Sequence, residues 1–194
     1  MSSDVTIRRV STKADLKALI EFPWKLYKDD PVWVPPLLSM RRELFDKTKH
    51  PAWEYLTGEF FTAWRGGEIV GTIAAYINHR HNQFHNEQIG WFGAFETIND
   101  QAVSDALLTT ASDWVRAQGY HALRGPQTFS PHDECGLLID GFTRPVLLMP
   151  YNPPYYQALV EQAGFHKAKD VYSFFGNSQE TVDTGIGNRL QRMV

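Results

Sequence analysis

The sequence predicts an α+β domain built on a mixed, largely antiparallel central sheet flanked by helices. Three observations lead there. Two strand-patterned runs, 59–65 and Glu68–Asn78, are separated by Gly66-Gly67, a pair that accepts the positive φ of a tight hairpin turn. A long window from Asn99 to Gln118 spaces Val103, Leu107, Ala111 and Trp114 three or four residues apart, and Gly119 follows it. Beyond that window strands and helices alternate, so the sheet is not made of hairpins alone.

The first strand spans 5–10, short and β-branched. Thr12, with Asp15 three residues on, resembles a capping box, and Leu16, Leu19 and Ile20 mark one face of the helix it would start. Pro23 ends or kinks that helix. The run Trp24 to Leu37 is too proline-rich for a regular element and too apolar for a solvated loop, so it should pack on the core or on a partner. A second helix is expected over 38–47. On the strand after the hairpin, Ile69, Ile73 and Ile77 share one face and Val70 and Tyr76 the other, the pattern of a central strand. Residues 78–87 read as a polar loop and 88–95 as a strand in the middle of the sheet. Asn99 or Asp100 caps the long helix. Further strands are expected at 122–125, 136–139, 146–149 (buried) and 169–175. The domain is expected to end near residue 176, with 177–194 an irregular tail.

At 194 residues, 43% apolar and 21% charged, the chain has the size and composition of one globular domain. A net charge of −3 creates no field favouring nucleic acid or an anionic membrane. A single cysteine, Cys135, excludes an internal disulfide framework and fits a reducing, cytoplasmic setting. The N-terminus shows no signal-peptide-like apolar run, and no stretch has the length of a membrane span.

The stretch 149–165 carries the densest local information. Pro150, Pro153 and Pro154 fix its backbone, Asn152 stands where a helix N-cap is expected, and Gly164 stands where that helix should stop. Tyr151-Asn152-Pro153-Pro154-Tyr155-Tyr156 reads either as a pocket wall or as a rigid packed loop. His132, Asp133 and Glu134 could supply a base or form a solvated turn. His79, His81 and His85 fit a hydrated hairpin tip better than a metal site, and no metal is expected. Cys135 reads as a buried small thiol.

The element order, with Ala106-Leu107-Leu108, Trp114 and Gly119-Tyr120 on the long helix, resembles the GNAT superfamily of acyl-CoA-dependent N-acyltransferases. The glycines that normally open that helix are absent. The strings Asp30-Pro31-Val32-Trp33-Val34-Pro35-Pro36-Leu37, Arg124-Gly125-Pro126, Glu134-Cys135-Gly136-Leu137-Leu138, Gly141-Phe142 and Tyr151 to Tyr156 are similar to a bacterial GNAT-like group. Members of that group are usually about twice as long, with a second GNAT-like half. The resemblance implies acyl transfer from an acyl-CoA, acetyl or longer, to a small-molecule or lipid-like amine. It also implies docking to a second such half or to another copy.

It places Phe95, Glu96 and Thr97 along the pantetheine arm and Gln101, Ala102, Val103 and Ser104 at the diphosphate, where helix N–H groups are free. Asp100 opposes an anion there. Val160 takes the place of the usual acid tyrosine, with Tyr155 and Tyr156 a turn earlier as substitutes. His132 and Glu134 are candidate bases, and Arg124, Gly125, Asn152 and Tyr151 candidate substrate contacts. The other reading is a non-catalytic GNAT-shaped module that binds a ligand or docks a domain. The loop 125–134 and the segment 151–156 are expected to face one another across a cleft.

Overall fold

The structure, a computed structural model, describes residues 4–147 and 149–174. Its core is a five-stranded sheet in chain order: β1 (Thr6–Arg9), β2 (Leu56–Arg65), β3 (Glu68–Asn78), β4 (Ile89–Thr97) and β5 (Ala122–Arg124). The first four pair antiparallel, and β5 runs parallel to β4. The expected hairpin is present, with Gly66 and Gly67 at φ 58° and 86°. β3, not β4, is the middle strand, and β4 lies one place from the edge.

Helix α1 (Lys13–Leu26) starts at the Thr12–Asp15 capping box. Pro23, which is buried, does not end it: the helix continues to Leu26, and the N–H of the capping Tyr27 bonds the Pro23 carbonyl at 2.9 Å. The apolar face of Leu19, Ile20 and Phe22 keeps the helix packed despite the missing N–H. Helix α2 (Leu38–Leu44) stops short of 47, and a 3₁₀ turn (Pro51–Glu54) follows it. Together with α1 these cover one sheet face, burying Leu19, Ile20, Phe45 and Ala52 against Phe60, Tyr76 and Trp91. Helix α4 (Gln101–Ala117), capped by Asp100, and α5 (Tyr155–Gln162) cover the other. They bury Val103, Leu107, Tyr156 and Val160 against Ile73, Phe92 and Phe95. Among the described residues no helix is long and apolar enough to cross a membrane.

Several expectations are corrected. Residues 78–87 are not a loop: α3 (His79–His85) forms because the Asn78 side chain caps it, and buried Asn82 ties it to Ile89. Val70 packs with Ile73 and not with Tyr76. Trp64 opposes Ile69 and Ala63 opposes Gly71, so Val70 is an extra residue that resets the alternation. No strand forms at 136–139. Of 146–149, Val146 and Leu147 are exposed, at 71% and 85%. No strand forms over 169–174 either, and Phe175 and the tail lie outside the described residues. Asn152 does not cap α5. Pro154 occupies that position, and the Asn152 side chain instead exchanges two hydrogen bonds with the Leu138 backbone, at 2.7 and 3.1 Å.

One irregularity positions the site. In β4, Glu96 opposes Thr72 and Gly93 opposes Ala74, so Ala94 and Phe95 together face one residue, with Ala94 at φ 46°. Strict alternation would put Trp91, Gly93 and Phe95 on one face and Glu96 on the other. The bulge instead turns Phe95 into the α4 layer and Glu96 toward α1. Beside the bulge the loop after β5 lies directly on the strand. Gln127 N–H bonds Phe92 O at 2.8 Å, and a Cβ on Gly93 would stand 2.0 Å from Gln127 O.

Candidate active site

Glu96 sits at the carboxyl end of β4, where the two helical layers meet. Tyr27, at the end of α1, and Tyr156, on α5, both donate to Glu96 Oε2, the second at 2.8 Å. The two hydroxyls are 3.2 Å apart, and Tyr156 also accepts the Thr97 N–H at 2.8 Å. Among the described residues no protein donor reaches Oε1, and the residue keeps some exposure. Burial pushes the Glu96 carboxyl up to about 7, against the two tyrosine hydrogen bonds, which favour the ionised form. Glu134 raises it further, and Arg41 opposes that. Arg41 is buried on α2 and holds Glu134 at 2.8 Å. Burial holds the hydroxyls of Tyr27, Tyr155 and Tyr156 protonated well above the usual phenol range, with Glu96 the next cause in each.

The other expected residues divide into those brought here and those placed elsewhere. Tyr155 donates to the Thr97 carbonyl at 2.8 Å, so both backbone groups of Thr97 are taken by α5 tyrosines. The ring of Phe95 packs on Tyr156 in the core. Tyr151 donates to Asp30, and its ring meets Tyr27 at 5.7 Å. His132 is exposed, and only its backbone N–H is bonded, to Ser130. Arg124 pairs with Glu87 at 3.4 Å and lies over Trp91. It opposes Trp91 in the sheet, five positions and roughly 16 Å from Glu96. Gly125 is wedged against Phe92 O, and Asn152 is a structural tie. The open depression beside His79, Asn82, Glu87 and Tyr120 lies at that far end of β4. Among the described residues no cluster of metal-ligating side chains occurs.

The start of α4 is largely self-satisfied. The Asp100 carboxylate accepts the Val103 N–H at 3.2 Å, and the Asp100 carbonyl accepts that of Ser104 at 3.1 Å. Arg65 pairs with Asp100 at 2.7 Å and holds its carboxyl below the usual range. The side chains of Val103 and Ser104 face the core. Gln101 binds Asp105 and the Leu159 carbonyl, tying α4 to α5, while Ala102 is exposed. Sequence reasoning placed Glu96 along the donor arm and omitted Tyr27. The bulge that pairs them leaves no periodic signal, and the two residues are 69 positions apart.

The architecture can be compared with solved structures. The aminoglycoside N-acetyltransferase AAC(6')-Iy, in complex with a CoA-linked bisubstrate analogue, superimposes over 90% of this chain and 99% of its own, with a TM-score of 0.54 and 15% identity. This is the GNAT acyltransferase fold. A predicted acetyltransferase from Clostridium acetobutylicum, with acetyl-CoA, superimposes with a TM-score of 0.53 and 10% identity over 88% of this chain and 96% of its own. No family model matches the chain. In sequence it is similar to the protein YghO of Escherichia coli, at 38% identity over 170 residues, 87% of this chain and 43% of that one. It is also similar to the bacterial ceramide synthase of Caulobacter vibrioides, at 35% over 193 residues, 98% of this chain and 50% of that one. The chain thus spans about half the length of these relatives.

Proposed function

We propose that the chain is an N-acyltransferase that moves an acyl group from an acyl-CoA thioester to an amine with a long-chain, lipid-like body. The observation that carries this is Glu96, a carboxyl titrating near neutrality with one oxygen fixed by two tyrosines and the other open. A base must take the proton of the acceptor ammonium before its nitrogen can attack the thioester carbonyl. Glu96 Oε1, with no protein donor among the described residues, is our candidate for that base. The C–N bond forms, the nitrogen gives its second proton to water, the C–S bond breaks, and the departing thiolate takes a proton. Tyr155, held protonated at the edge of the site, is the candidate donor. The ceramide synthase relative, by its name, supports a lipid acceptor. With the N–H groups of Val103 and Ser104 already used, the donor is held mainly through its pantetheine and acyl parts, and free CoA binds weakly.

The second reading, a GNAT-shaped binding or docking module, is favoured by those same occupied groups and by Val160 at the usual acid position. A thermal-shift series with free CoA, acetyl-CoA and a long-chain acyl-CoA separates the two. A ligand at a hundred times its dissociation constant stabilises by about 2.7 kcal/mol. We expect the long-chain donor to give the largest shift and acyl transfer to be lost in Glu96→Gln. No shift with any of the three would favour the module.

A further inference from the structure

We infer that the groove between the end of α1 and the start of α2 holds the aliphatic tail of the acceptor amine; this rests on the reading of Glu96 as the place where that amine loses its proton. The groove, about 390 Å³, is lined by Glu21, Trp24, Lys25 and Leu38, and its lining is mostly apolar. Its charged members are matched. Glu21 pairs with Arg42 at 3.6 Å and Lys17 at 4.0 Å, and Lys25 pairs with Glu68. No uncompensated charge remains there to select an ionic ligand, and a neutral chain fits.

On the segment that leads into α2, stiffened by Pro31, Pro35 and Pro36, Val34 and Leu37 are 44% and 66% exposed, and Met40 on α2 is 53% exposed. Such a cluster of exposed apolar side chains marks a binding surface when it adjoins a site. It does adjoin one. The Trp24 ring meets Trp33 at 5.5 Å, Trp33 meets Tyr27 at 5.2 Å, and the Tyr27 hydroxyl is on Glu96. A relay of ring contacts therefore links the groove to the carboxylate, with Tyr27 its buried last member. An amine at Glu96 can extend its chain past these rings toward the groove.

The test is calorimetric titration of the full chain with decylamine and butylamine, which share a head group and differ by six methylenes. At roughly 0.8 kcal/mol per buried methylene, decylamine should bind at least a hundredfold more tightly. Leu37→Asp/Met40→Asp, both at exposed positions, and Leu38→Ser should each weaken decylamine at least tenfold and leave butylamine unchanged. Equal affinity for the two amines overturns the proposal. So do variants that weaken both alike or neither. Glu96→Gln should retain the preference for decylamine. If the native chain shows that preference and the variants remove it, yet no acyl transfer occurs with any donor, the groove stands and the catalytic reading falls.

Discussion

At the scale of single residues, Glu96 makes a claim about stability as well as catalysis. A carboxyl whose value rises from 4.5 in the unfolded chain to about 7 in the fold binds its proton more tightly when folded. The contribution to stability is therefore full below about pH 4.5 and is lost as pH rises through 7. The loss amounts to at most roughly 3 kcal/mol. Glu96→Gln, which cannot ionise, should raise the melting temperature at pH 8 and change it little at pH 4.5. If the proposed acyl transfer is found, its kcat/KM in the native chain should climb with pH and level off above 7. Tyr27→Phe removes a hydrogen bond to the ionised form and should move that inflection upward. Tyr155→Phe should slow turnover with the inflection unmoved, since Tyr155 bonds Thr97 and not Glu96. Unchanged turnover in both Tyr155→Phe and Tyr156→Phe would remove tyrosine from the mechanism.

At the scale of elements, the start of α4 separates two roles that the sequence merges. Asp100 is an acid at the start of α4, where the resemblance to acyl-CoA-dependent enzymes puts a diphosphate, yet it is also the helix cap and the partner of Arg65. Asp100→Asn keeps the cap and drops the charge, so it should cost well under 1 kcal/mol in urea denaturation. Asp100→Ala loses the cap and should cost about 1 kcal/mol. By calorimetry Asp100→Asn should tighten CoA binding, and an unchanged affinity would mean the phosphates lie elsewhere. The capping box, the Gly66-Gly67 turn and the long helix were legible because their signals are local. Of the strands expected at 136–139, 146–149 and 169–175, none forms among the described residues, because short apolar runs look alike whether or not a neighbouring strand pairs with them. The site was half legible. Tyr156 was read as a candidate acid, but its partner Tyr27 comes from the far end of α1, and the bulge that turns Glu96 toward it breaks the very alternation a reader relies on.

At the scale of the molecule, two apolar layers share one sheet, and Glu96 lies at their common border. Away from that border Val146, Leu147, Val171, Tyr172 and Phe174 are all more than 70% exposed, on a chain half as long as its relatives. The segment that carries Glu134 behaves differently from those exposed ones. Phe129, at its middle, is fully buried among Phe45, Trp53, Phe60 and Tyr76. Gln127 N–H bonds Phe92, and Thr128 N–H bonds Glu134. A loop nailed to the core at its centre cannot serve as a hatch. In hydrogen exchange its Gln127 and Thr128 amides should be as slow as those of β4, opening only with global unfolding. The proposed amine groove lies on the other side, between α1 and α2. A substrate seated there is a gatekeeper for whatever follows it, so the amine should leave more slowly once the acyl donor is in place, and the order of binding should show up in the pattern of product inhibition.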